Sequence, residues 1–147
     1  MRIDRIKLED FRNYAGQEVY FDPVCNVICG ENAQGKTNLL EAMVCLSTGR
    51  SHRTRSDREL IRFTREGFRL EGEIHSRDRE FTSRIEAGFG KKKRITINGV
   101  PAKAASDLSA VLNTVFFCPE DLQLIKEGHS LCAVAAQEAS ILIKRAR

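Results

Sequence analysis

The 147-residue chain predicts an α/β fold, a strand–loop–helix unit joined to an antiparallel β-meander. Three observations predict it. Gly30 to Thr37 reads G-x-x-x-x-G-K-T between an apolar run and an apolar helical pattern. Residues 68–98 alternate apolar and polar with the period of half-buried strands. The content of 41% hydrophobic residues suffices for one core, since a chain of about 150 residues hides roughly 70% of its unfolded surface.

The elements follow in chain order. Ile6 and Leu8 alternate with Arg5, Lys7 and Glu9, and Val19 and Phe21 alternate with Glu18, Tyr20 and Asp22, which predicts an opening hairpin linked through Asn13 to Gln17. Val24 to Cys29 is apolar without clean alternation, the pattern of a strand covered on both faces. Lys36 to Thr48 is apolar almost all round, so a buried helix is expected, with Gly49 as its C′ residue. Arg50 to Gly67 has no persistent apolar face and reads as a loop with a short helix around Asp57 to Phe63. Phe68 to His75, Glu80 to Phe89 and Arg94 to Asn98 form a three-strand meander with its polar face outward, and Asn98-Gly99 supplies the positive φ angles of a tight turn. Lys103 to Leu112 is a short helix, Thr114 to Phe117 a buried strand, and Pro119, Glu120, Asp121, Lys126 and Gly128 signal a helix over 119–127.

Composition narrows the class. No stretch approaches the ~18 uninterrupted apolar residues of a membrane span, and Met1-Arg2-Ile3-Asp4-Arg5 lacks the apolar core of a signal peptide, so a cytoplasmic location is expected. Five Cys without a CxxC pair suit neither a disulfide framework nor a zinc site, and Cys25, Cys29, Cys45 and Cys118, set in apolar runs, read as buried thiols. The three His stand at no ligand spacing.

The net charge of +4 is unevenly placed: residues 1–49 carry −2, residues 50–94 carry +6 and residues 95–147 are neutral. The excess comes from Arg50, Arg53, Arg55, Arg58, Arg62, Arg65 and Arg69, and from Lys91, Lys92, Lys93 and Arg94. Arginine over lysine in the first cluster favours bidentate phosphate recognition. The alternative is a solvated face on which these arginines pair with Asp57, Glu59 and Glu66.

Gly30, Glu31, Asn32, Ala33, Gln34, Gly35, Lys36 and Thr37 form a P-loop, placed where its chemistry requires, after a strand and opening a helix. The N–H groups of residues 33–37 and the positive end of the helix dipole suit phosphate oxygens. Lys36 suits the β/γ phosphates as a point charge and the Thr37 hydroxyl suits Mg²⁺. Hydrolysis needs a further acid near the metal, and Glu120 and Asp121, which follow an apolar run, fit the helix dipole better than that role. Leu46-Ser47-Thr48-Gly49 ends a helix, where the dipole repels phosphate, so its likeness to an ABC signature carries nothing.

The P-loop with Asn38-Leu39-Leu40-Glu41-Ala42, the opening Leu8-Glu9-Asp10-Phe11-Arg12-Asn13-Tyr14, the stretch Gly49 to Thr54, and Phe117-Cys118-Pro119-Glu120-Asp121-Leu122 through Gly128 together resemble the RecF family, whose head is similar to ABC and SMC ATPases. The resemblance runs in family order over residues 1–128 and implies the first, N-terminal lobe of an ABC/SMC-type P-loop ATPase head. It implies that residues 30–37 bind ATP, with Mg²⁺ at Thr37, that Arg50, Arg53 and Arg55 lie near nucleotide and a dimer partner, and that the meander with Lys91, Lys92, Lys93 and Arg94 faces DNA. The implied setting is gap repair, replication and SOS induction, on single-stranded or gapped DNA, through an ATP-dependent homodimer with RecO- and RecR-type partners. A weak DNA-dependent ATPase is implied for the family protein. The second lobe, signature loop and Walker B acids of that family lie C-terminal to this stretch, so hydrolysis is not expected of this chain by itself.

After Gly128 the family pattern stops. His129 to Arg147 reads as a divergent tail, such as a shifted reading frame or a replaced continuation produces. Two other readings stay open: a small P-loop kinase whose arginines clamp a phosphorylated substrate, and a remnant with neither activity. Antiparallel strands on both sides of the P-loop count against the kinase, which uses mainly parallel sheets.

Overall fold

A computed structural model describes residues 1–76 and 78–117. The expected helix over 119–127, with Glu120 and Asp121, Cys118, Cys132, His129 and the tail 129–147 lie outside the described residues.

Six strands form one antiparallel sheet: β1 (Arg2–Phe11), β2 (Tyr14–Tyr20), β3 (Gly67–Ser76), β4 (Arg79–Gly88), β5 (Lys91–Ile97) and β6 (Val100–Pro101), in the order β2-β1-β3-β4-β5-β6. The period-2 pattern decides which side each residue faces. Leu8, Leu70, Ile85 and Ile95 stand abreast across β1, β3, β4 and β5, and Ile6, Gly72, Ser83 and Ile97 form the next row on the same face. Ile6, Leu8, Leu70, Ile74 and Ile85 are fully buried, and each contributes about 1.5–3 kcal/mol through removal from water.

Helix α1 (Lys36–Thr48) lies on this apolar face and helix α2 (Ala105–Val111) beside it. Leu39, Ala42, Cys45 and Leu46 of α1 and Leu108, Val111 and Leu112 are buried. Gly72 lets the helix come close, since a Cβ there would stand 2.9 Å from Leu46 Cδ1. The bounds of α1 are those its pattern predicts, and the Gly49 N–H closes it on the Cys45 carbonyl at 2.7 Å. Asn98 and Gly99 turn the chain with φ of 50° and 79°, the I′ geometry expected of the pair.

Four expectations are corrected. Val24 to Cys29 is not a strand: no described strand pairs with it, Val24 and Val27 are largely exposed, and Cys25 and Cys29 are exposed rather than buried. An apolar run becomes a two-faced strand only where neighbouring strands supply its ladder. Thr114 to Phe117 is likewise irregular and half-buried, with Phe117 exposed, for the same reason. The first hairpin turns at Arg12-Asn13, while Gly16 sits in β2 opposite Glu9. The short helix between Arg50 and Gly67 is a single 3₁₀ turn, Asp57–Leu60, anchored by buried Leu60.

Candidate nucleotide and nucleic-acid site

The P-loop crosses the end of the hairpin. Gly35, at φ 103°, immediately precedes α1, and no side chain caps the helix. A Cβ at Gly35 would lie 2.7 Å from Asn13 Nδ2 and 3.0 Å from the Tyr14 hydroxyl, so both conformation and space require glycine there. Asn13 Nδ2 donates to the Gln34 carbonyl at 3.3 Å and Tyr14 Oη to the Gly35 carbonyl at 3.1 Å. Burial pushes the Tyr14 phenol above its ordinary pKa, which keeps it a donor. The hairpin tip thus holds the loop by its carbonyls and leaves the N–H groups of the first helical turn without intrahelical partners, open to an anion. No acidic residue stands in that turn. The Lys36 ammonium reaches back over the loop to the carbonyls of Gly30 at 2.7 Å and Glu31 at 2.5 Å. Thr37, one residue further on, is exposed.

Behind the loop stands Glu41, fully buried on α1. Arg12 grips it with two bonds, Nε to Oε2 at 2.9 Å and Nη2 to Oε1 at 2.8 Å. Ser51 Oγ donates to Oε1 at 2.5 Å, and Arg53 Nη1 reaches Oε2 at 3.3 Å and Asn38 Oδ1 at 3.0 Å. Burial alone would raise the carboxyl, but these donors, Arg12 foremost, hold it below the usual carboxylate range. Arg12 sits at φ 52° as the first residue of its turn, a conformation more natural to glycine. Its guanidinium, bound to Glu41 and to the Glu59 carbonyl at 2.8 Å, holds it there.

Arg53 is thereby brought to the P-loop helix, whereas Arg50 and Arg55 are exposed, their side chains unbonded among the described residues. The arginine cluster does not use the carboxylates expected of it. Asp57 pairs with Lys93 at 2.7 Å, Arg62 and Arg65 with Asp10, and Arg69 with Glu86 and Glu9. The Lys93–Asp57 pair joins the loop to β5, and Arg58 lies over the Phe89 ring, 5.7 Å from its centroid. The two basic clusters therefore meet at the β4–β5 turn.

The outward face of the sheet is a charge lattice. Glu9, Arg69, Glu86 and Arg94 form one rung, Glu18, Lys7, Glu71 and Arg84 the next, and Arg5 with Glu73 a third. Arg5 bonds Glu18 and Glu73 at 2.5 Å each, and Arg84 bonds Glu71 at 2.5 Å. Ion pairs tie four of these cations, Arg5, Lys7, Arg69 and Arg84, to the five carboxylates, and Arg94, at the β5 end of its rung, brings the sum to zero. Among the described residues Lys91, Lys92 and Arg94 stand in no ion pair, and they lie at the end of the meander, Arg94 at the edge of its face.

Sequence reasoning found the P-loop and missed its supports, Asn13, Tyr14, Asn38 and Glu41. An Asn-Tyr pair in a polar turn and a Glu within an apolar helix were the available signals. The buried thiol of Cys45 is pushed up to about 12 by burial and by the Glu41 charge, which makes it a packing residue.

A family model described as AAA domain matches residues 5–131. The DNA replication and repair protein RecF of Acetivibrio thermocellus is 43% identical over 130 residues, which cover 88% of this chain and 35% of that protein. The chain thus spans about a third of the length of this relative. A solved structure of the recombination mediator protein RecF-ATP in the RecFOR pathway is 36% identical, with a TM-score of 0.79 over 92% of this chain and 38% of that one. A structure from work on ATP-driven dimerisation and DNA-stimulated activation of SMC ATPases has a TM-score of 0.75 at 18% identity, over 92% of this chain and 97% of that one. The fold is that of an ABC/SMC-type P-loop ATPase head, in its first lobe, with the antiparallel meander the sequence predicts.

Proposed function

The chain belongs to the AAA domain family, and from that premise we propose that it binds ATP at residues 30–37 and works on DNA in replication and recombinational repair. One observation carries the reading: an uncapped helix N-terminus behind Gly35, with its loop carbonyls tied back by Asn13 and Tyr14. That arrangement presents N–H donors and a lysine, and no carboxylate of the first helical turn opposes an anion.

In this reading the Lys36 ammonium exchanges its two carbonyl acceptors for β- and γ-phosphate oxygens, the loop N–H groups bind the same chain of phosphates, and the Thr37 hydroxyl helps hold Mg²⁺. The bound metal would neutralise phosphate charge. Arg53, held by Glu41 and Asn38, stands ready beside the loop. Arg50, Arg55, Lys91, Lys92 and Arg94, in no ion pair among the described residues, supply charge for a DNA backbone, and Lys93 braces the two clusters. An ATP-dependent homodimer, RecO- and RecR-type partners, SOS induction and a cytoplasmic setting complete the proposal. No described helix is long and apolar enough to cross a membrane.

Titration with a fluorescent ATP analogue in Mg²⁺ tests it. Wild type is expected to bind weakly, above the micromolar range, and Lys36→Ala to lose at least tenfold, as removal of a charge-assisted contact of about 1.5–3 kcal/mol implies. Equal affinity for the two proteins would remove the P-loop assignment.

A further inference from the structure

Exposed apolar side chains standing singly are ordinary on a protein surface. Two aromatics here stand on neighbouring loops. Phe63 is 90% exposed and Phe89 is 51% exposed. The loops that carry them are bonded together, the Phe89 N–H donating to the Glu66 carbonyl at 2.8 Å and Gly67 pairing with Gly88. Phe63 is at the second position of a turn closed by the Arg65 N–H on the Arg62 carbonyl at 3.0 Å, and Thr64 follows at φ 68°. A β-branched residue in the left-handed region is strained, and the turn it sits in presents a phenyl ring to solvent. A groove of about 450 Å³ adjoins Phe89, lined also by Gly67, Lys91, Lys92 and Arg94. Of the carboxylates on the groove, Asp10 is paired with Arg65, and Glu9 and Glu86 with Arg69, while Glu66 stands in no ion pair among the described residues; against it are Lys91, Lys92 and Arg94, so the charge beside Phe89 is mainly basic.

We infer that Phe63 and Phe89 form a stacking platform for the unpaired bases of single-stranded DNA, with Lys91, Lys92 and Arg94 on its phosphates. The inference rests on the DNA-binding reading above and adds what that reading lacks, a means of holding bases rather than backbone alone. Aromatic faces accept any base, so recognition is indifferent to sequence and selective for strands whose bases are unstacked. Arg58 lies over one face of the Phe89 ring, where cation–π attraction restrains it, and a base would take the other face. Cations without rings would bind duplex and single strand alike.

Fluorescence anisotropy with a labelled oligothymidylate, its abasic counterpart and a duplex tests the platform in the full chain. Phe63→Ala and Phe89→Ala are each expected to weaken oligothymidylate binding by about tenfold, leave abasic and duplex binding unchanged, and leave the salt dependence unchanged because no cation is lost. Lys91→Ala with Lys92→Ala is expected to weaken all three probes and flatten the salt slope. Equal binding by wild type and both Phe variants, with the Lys variant weakened, overturns the platform and leaves the DNA-binding reading standing. No binding of any probe by wild type overturns both. A shift from dimer to monomer in the Phe variants with DNA affinity unchanged would assign the rings to contact between copies of the chain and also overturn the platform.

Discussion

Glu41 concentrates the energetics of the site in one side chain. It is fully buried, yet it stays ionised because Arg12 from the first hairpin and Ser51 and Arg53 from the loop after α1 donate to it. Removing one partner of a buried ion pair costs about 3–5 kcal/mol, because the other charge is left uncompensated. Glu41→Ala is therefore expected to lower the unfolding free energy by about 3 kcal/mol, read from urea denaturation, and Glu41→Gln by less, since its amide oxygen still accepts a bond. The folded carboxyl lies below its unfolded value. Its contribution is thus present above the unfolded pKa of about 4.3 and is lost as pH falls through the lower folded value. Wild type should lose stability below about pH 4 more steeply than Glu41→Gln, and parallel pH profiles would exclude this role. None of these partners was legible in the sequence, since Glu41 lies 29 residues from Arg12 and its neighbours on the helix are apolar.

Elements divide by whether their signals are local. Helix α1 begins at its P-loop glycine and ends at Gly49, both sequence-adjacent signals, and its bounds were read correctly. The β3–β5 meander alternates cleanly because one face meets the core and the other water, and Asn98-Gly99 encodes its turn. Val24 to Cys29 was misread because an apolar run states a preference for burial and not the presence of strands to bury it. The Arg12-Asn13 turn was misplaced because a tertiary ion pair, invisible locally, holds arginine where glycine is usual. Two measurements follow. Brief alkylation with peptide mapping should modify exposed Cys25 and Cys29 and spare buried Cys45 until the chain unfolds; modification of all three at one rate would contradict the placement. At the helix–sheet contact, Gly72→Ala places a methyl 2.9 Å from Leu46 Cδ1. A loss of about 1–3 kcal/mol is expected, with Leu46→Ala in the same background recovering part of it through the room it opens, so that the two changes are less than additive.

At the scale of the whole molecule, net charge misleads and its arrangement decides. The middle segment carries +6, yet the broad polar face of the sheet is neutral, rung by rung, and its exposed pairs are each worth at most about 1 kcal/mol. A polyanion gains little by covering such a face, because each cation it meets short of Arg94 at the edge already has a carboxylate, and displacing one contact for another releases few counterions. The gain lies at Lys91, Lys92 and Arg94, and at Arg50 and Arg55. Substitutions at the two places should therefore differ in kind. Arg84→Ala on the face removes a cation and leaves Glu71 with Arg5 alone, at 3.5 Å, adding negative charge locally, and should change the salt slope of DNA binding little. Arg94→Ala at the margin removes a free cation and should lower that slope by about one unit, weakening binding to all DNA probes alike. Equal slopes for the two variants would mean that the sheet face itself contacts DNA, with its ion pairs opening to do so, and the neutral lattice would then be a closed form of the binding surface rather than a bystander.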